Sequence, residues 1–139
     1  LGQLLGRDHA RLDRLFQDLL DAFAADARMD VARLWNEFDR DLRAHLQLEE
    51  DHLLPKFLEF NAPEALALTR EHQSIRDRLL QLGVGVDLHL TRHTQVADFI
   101  SELRAHAKRE EALMYRWSSQ NVRDPELHKS VLQRLFAKH

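Results

Sequence analysis

The sequence predicts an all-α protein: an up-down-up-down antiparallel four-helix bundle with a short C-terminal fifth helix. Three observations predict it. Four Gly and three Pro in 139 residues, beside abundant Leu, Ala, Arg, Asp and Glu, are the composition of long helices, not of a sandwich or a Rossmann sheet. Apolar residues recur at three- and four-residue spacing along four stretches joined by short connections. One pattern, Leu-Arg-Ala-His-x-x-x-Glu-Glu, occurs twice, from Leu42 to Glu50 and from Leu103 to Glu111. The length suits a single core, so residues 1–139 read as one domain, the bundle over about 2–118 and the last helix over about 125–138.

Leu4, Leu5, Leu12, Leu15, Phe16, Leu19 and Leu20 place a first helix from about Gly2 to Ala25. Asp26 to Met29 is a short polar connection, and Asp30 is the expected N-cap of the second helix. That helix carries Leu34, Phe38, Leu42, His45, Glu49 and Leu53 on or near one face. Pro55 should kink it or end its regular hydrogen bonding, and Phe57 and Leu58 indicate that it resumes. Asn61-Ala62-Pro63-Glu64 reads as a stop and a restart, with Pro63 in the first turn of the third helix. Ala65, Leu68, His72, Ile75, Leu79 and Leu82 share a face of that helix, and Gly83-Val84-Gly85 is expected to end it. The fourth helix is expected to begin between Asp87 and Thr91, with Val96, Phe99, Leu103, His106, Glu110, Leu113 and Trp117 inward. Asp124-Pro125 then caps a fifth helix bearing Leu127, Val131, Leu132, Leu135 and Phe136. Its apolar stripe must be covered by the bundle or by a second copy.

Composition excludes several functions. Without Cys there are no disulfides, thiolate zinc sites, iron–sulfur clusters or thiol nucleophiles within the chain. A net charge of −3 with the signs well mixed offers no basic stripe for nucleic acid. No apolar run approaches the roughly 20 residues of a membrane span, and no apolar secretion segment opens the chain. The expectation is a cytoplasmic protein without nucleic-acid or membrane partners, monomeric or a homodimer.

The chemistry lies in the His and Glu residues. Asp8-His9 precedes the first copy of the repeat and Glu71-His72 the second, so the order is His, His-x-x-x-Glu, His, His-x-x-x-Glu. Helix residues four apart differ by about 40° in azimuth and roughly 6 Å in height, so each pair points an imidazole and a carboxylate the same way. His9 to His72 is 63 residues and His45 to His106 is 61. In an antiparallel bundle His9 and His72 lie early in upward helices, while His45 and His106 lie late in downward ones. All four fall near one end.

A single His on an apolar helix face is more often a satisfied core residue than a ligand. Here four His and two Glu project among Leu, Phe and Ile at one level, and two buried carboxylates without partners would cost several kcal/mol each. A bound cation compensates both kinds of group. Nitrogen and oxygen ligands without thiolate suit iron, manganese or zinc. Six ligands exceed one tetrahedral zinc and suit two ions, with two His on each and the carboxylates between.

His52, Glu50, Glu111 and Tyr115 are secondary candidates. His52, seven residues after His45, is expected to face the same interior as a pocket residue. Glu50 and Glu111, about 140° from their His residues, should face solvent or a neighbouring helix, and Tyr115, about 180° from His106, should point away. Trp117 reads as core. His89, His93, His128 and His139 lack ligand spacing and are expected on the surface.

Over residues 1 to about 118 the chain resembles the hemerythrin-like family, the HHE cation-binding domains. The residues that carry the resemblance are Asp8-His9, His45-x-x-x-Glu49-Glu50 with Leu54-Pro55, Glu71-His72, and His106-x-x-x-Glu110-Glu111. The resemblance implies a four-helix bundle holding two iron ions in an oxo- or hydroxo-bridged centre, zinc or manganese being less suited. It implies His9 and His45 on one iron, His72 and His106 on the other, and Glu49 and Glu110 bridging. Oxygen carriers of the family have a further His four residues after that of the third helix. This chain has Arg76 there. One iron thus lacks a ligand, and Arg76 and Asp13, at equal offsets from His72 and His9, are expected to pair above the metals.

The implied function is binding or sensing of dioxygen or nitric oxide. The alternatives are a di-iron oxidase or peroxidase, or an iron-cluster repair protein. A third class is a structural bundle whose metal only supports the fold. No nucleophile–base constellation is present to name an organic substrate.

Overall fold

The computed structural model describes residues 2–121 and 125–136, and every regular element among them is a helix. In order these are α1 (Gly2–Ala24), α2 (Arg28–His52), α3 (Leu54–Phe60), α4 (Ala62–Asp87), α5 (His93–Glu110), a π-helical segment (Glu111–Tyr115), α6 (Arg116–Asn121) and α7 (Pro125–Phe136). α1 packs against α2 and α5, α2 against α4, and α4 against α5, closing a ring of four long helices. No described helix is long and apolar enough to cross a membrane.

Local chemistry sets most boundaries. Asp26 turns the chain with φ 53°, a left-handed conformation that Asp tolerates, and Ala27 N–H closes the turn on the Ala22 carbonyl at 3.1 Å. That turn starts α2 at Arg28, so Asp30 is not the N-cap. It sits in the first turn, where its charge favours the helix dipole. Pro55 lies in the first turn of α3, where a missing N–H costs nothing, and Leu53 N–H still reaches the Glu49 carbonyl at 2.9 Å. Asn61 caps α4 by accepting from Glu64 N–H at 3.3 Å.

Two expected boundaries move. Gly83-Val84-Gly85 does not end its helix, which runs on to Asp87 because Val86 is buried in the core. The glycines permit close approach instead: a Cβ on Gly83 would stand 3.2 Å from Trp35 Nε1, and one on Gly85 would overlap Thr91 Oγ1. The chain reverses later, at His89 with φ 58°, so α5 begins only at His93.

The third departure is the π-helical segment. An i→i+5 turn inserts one extra residue, and each residue beyond it is set back by about 100°. Leu113 is thereby swung outward to 46% exposure, while Met114 and Tyr115 are buried in its place.

The core is two apolar clusters. One contains Leu19, Phe38, Leu79 and Phe99; the other contains Leu5, Leu53, Leu68 and Met114, and Val131 and Leu135 of α7 join it. α7 therefore covers its stripe against the bundle, with Leu132 left exposed. Asp124, and the side chains of Leu127 and Phe136, lie outside the described residues.

Candidate metal centre

Between the two apolar clusters lies a buried polar layer. His9 of α1, His45 and Glu49 of α2, His72 of α4, and His106 and Glu110 of α5 all reach it. Both glutamates are fully buried. Their ligand atoms fall into two groups, His9–His45–Glu49–Glu110 and Glu49–His72–His106–Glu110, each within 4.8 Å. The two carboxylates belong to both groups. Glu49 Oε1 stands 3.5 Å from His45 Nε2 and 3.4 Å from His72 Nε2. Glu110 reaches His9 Nε2 through Oε1 at 3.2 Å, and His72 and His106 Nε2 through Oε2 at 3.1 Å each.

The layer fits cations and little else. Glu49 Oε1, Glu110 Oε1 and His106 Nε2 are buried, aimed inward and without a hydrogen-bond partner. Unsatisfied polar atoms at such depth cost about 1–3 kcal/mol each, more when charged. An ion touching all of them removes that cost.

A second shell of carboxylates closes a ring around the layer. His45 Nδ1 donates to Asp8 at 2.6 Å, His72 Nδ1 to Glu50 at 2.8 Å, His106 Nδ1 to Glu71 at 2.7 Å and His9 Nδ1 to Glu111 at 3.0 Å. Each acid is the chain neighbour of one inward residue and serves the His of the next helix: α1 to α2, α2 to α4, α4 to α5, and the π segment back to α1. An ionised carboxylate only accepts, so each Nδ1 carries its proton and each Nε2 is left to face the interior. Three acids are pinned in turn by arginine: Asp8 by Arg11, Glu50 by Arg76 at 2.5 Å, and Glu71 by Arg109. Glu50 and Glu111 thus do face a neighbouring helix, and the chemistry they find there is an imidazole.

Electrostatics in the layer are strong. Burial disfavours a charged His45, but Glu49 and Asp8 outweigh it and raise the imidazole to about 10. Burial likewise opposes charge on His72, and Glu110 and Glu49 raise it to about 10. Glu110 is lowered well below the carboxylate range despite burial, through hydrogen bonds from His106, His72 and His9. Without a cation, protons on the inward nitrogens perform the compensation.

Some expected positions differ. His52 does not face the interior: it lies part-exposed at the end of α2 and accepts from Arg134 of α7 at 3.3 Å. Arg76 and Asp13 do not pair, because Glu50 lies nearer to Arg76, and Asp13 bonds Arg104 at 2.7 Å. Trp117 packs on Phe57 and Phe60. His89 and His93 are exposed, while the His128 side chain and His139 lie outside the described residues.

Tyr115 is the residue that helical periodicity missed. The π segment turns it into the layer, where its hydroxyl donates to Glu49 Oε2 at 2.6 Å and stands 2.8 Å from His9 Nε2 and 3.0 Å from His45 Nε2. Burial and the adjacent charges of Glu49 and Glu110 push the phenol well above its usual range.

An open cavity of about 410 Å³ between α1 and α5 leads to His9, His45, His106 and Glu110. Its walls are largely apolar, with Leu12, Phe16, Leu46 and Leu103 among them, and Arg104 and Asp13 also line it.

A comparison with family models matches residues 2–118 to the hemerythrin HHE cation-binding domain. Neither the curated proteins nor the solved structures gave a match. The match spans most of the chain and every residue of the buried layer, so the chain belongs to the hemerythrin HHE cation-binding family.

Proposed function

We propose that the chain binds two iron ions on its up-down-up-down bundle and uses them to bind or sense dioxygen or nitric oxide. His9 and His45 would hold one ion, His72 and His106 the other, and Glu49 and Glu110 both. The observation that carries this is the sharing of the two carboxylates between two four-residue ligand groups. Bound iron supplies the redox chemistry and the open coordination positions that such small ligands need.

The residues supply the rest. The outer carboxylates hold the imidazole tautomers, the apolar clusters exclude water above and below, and the cavity between α1 and α5 admits a ligand. Stopped-flow absorption of the ferrous protein mixed with dioxygen, and separately with nitric oxide, tests it. Rapid spectral changes with either ligand support the proposal. Iron that stays silent to both would mark the metal as structural.

One observation favours an oxidase or peroxidase as the second reading. The cavity of about 410 Å³ is larger than a diatomic needs and falls in the size range of sites for small organic molecules.

A further inference from the structure

We infer that Tyr115 is a seventh metal-binding residue, a phenolate on the ion held by His9 and His45. The inference rests on the two-ion site proposed above and makes its halves unequal: His, His and Tyr on one side, His and His on the other.

The geometry carries the inference. Ligand atoms each about 2.0–2.2 Å from one ion stand about 3 Å apart when they bind at right angles. Tyr115 Oη stands 2.8 Å from His9 Nε2, 3.0 Å from His45 Nε2 and 2.6 Å from Glu49 Oε2. Those three partners are residues of a single ligand group. A phenol present only to fill the core would turn its hydroxyl toward one partner. This one occupies a vertex next to three.

The backbone supports the same placement. Carried on as a regular helix, α5 would point Tyr115 about 180° from His106. The π-helical segment begins directly after Glu110 and brings the residue inward, at the expense of exposing Leu113. π-helical turns inside α-helices concentrate at functional sites. The ring is also tilted against His9, with centroids 4.8 Å apart, and is 4% exposed, so its direction is set by packing.

Ligation breaks the phenolic O–H bond, forms an oxygen–metal bond and releases the proton to solvent, with no change of oxidation state. Glu49 Oε2, which accepts that proton's hydrogen bond beforehand, is freed for metal. The other ion receives no matching residue. Leu113, seven positions after His106 as His52 is after His45, points outward, and Arg76 is engaged by Glu50. Exogenous ligands are therefore directed to the ion of His72 and His106.

The test uses the full chain loaded with ferric iron. Tyr115 is the chain's one tyrosine, so ring-deuterated tyrosine labels it alone. Expected are a visible phenolate-to-iron charge-transfer band and, on excitation into it, enhanced ring vibrations that shift on deuteration. Tyr115→Phe should abolish the band while retaining iron. The isotope shift decides the matter in the unaltered protein even if that variant fails to fold. Iron bound without deuterium-sensitive vibrations overturns phenolate ligation and leaves the two-ion site standing. Failure of the unaltered chain to bind iron overturns both.

Discussion

The Asp8 carboxylate of α1 accepts the Nδ1 proton of His45 on α2 at 2.6 Å, and both side chains are buried. Arg11 holds the other oxygen of Asp8 at 2.7 Å and also reaches Asp41 at 2.8 Å, so the imidazole stands at the end of a braced chain of charges. The same construction recurs at His72 and His106.

If these acids orient ligands, removing one should weaken metal binding without touching a ligand. Asp8→Asn and Glu50→Gln should each lower metal affinity about 10–100-fold. Asp13→Asn, at the cavity wall and outside the ring, should leave it unchanged. Competition against a chelator of known affinity measures all three. Equal affinities throughout would reduce the ring to surface ion pairing.

Glu49 and Glu110 should behave differently from the ring. Glu49→Ala removes a carboxylate from both ligand groups at once, so occupancy should fall below two ions per chain even at saturating metal. Glu50→Gln should still reach two at sufficient concentration. Metal titrations monitored to saturation separate lost stoichiometry from lost affinity.

The metal-free protein should lose stability as pH rises. His45 and His72 are raised from 6.5 to about 10 in the fold, so their contribution is complete below about pH 6.5 and disappears as pH passes about 10. Asp8 and Glu110 are lowered and stay ionised throughout that window. Metal binding displaces inward protons and strengthens with pH. The rise in Tm on adding metal should therefore widen between pH 6.5 and 9. A constant rise would show that the inward nitrogens carry no protons.

The apolar clusters should be separable from the site. Phe38 is fully buried against Phe16, Trp35 and Phe99, so Phe38→Ala should cost about 3–5 kcal/mol in denaturant unfolding. Loaded protein below its unfolding midpoint should keep its full metal stoichiometry.

Helical periodicity exposed most of the layer in the sequence. His45 with Glu49, and His106 with Glu110, obey the four-residue rule, and the matched spacing of the repeat put His9 and His72 at their level. Asp8, Glu50, Glu71 and Glu111 were visible as acids beside those residues. Their targets were not, because which neighbouring imidazole an acid meets depends on helix rotation and crossing, and neither is written in one helix's periodicity. Tyr115 escaped for a sharper reason: a single inserted residue in the π turn reverses the inward and outward faces, so Leu113 and Tyr115 exchange roles. Gly83 and Gly85 misled because glycine serves close approach as well as termination, and only the positions of Trp35 and Thr91 distinguish the two.

The most direct measurement is metal content per folded chain after anaerobic loading with ferrous iron and removal of excess metal. Two buried ligand groups sharing Glu49 and Glu110 predict two ions per chain, falling below two in Glu49→Ala. One ion or none per folded chain of the unaltered protein would contradict the dinuclear centre.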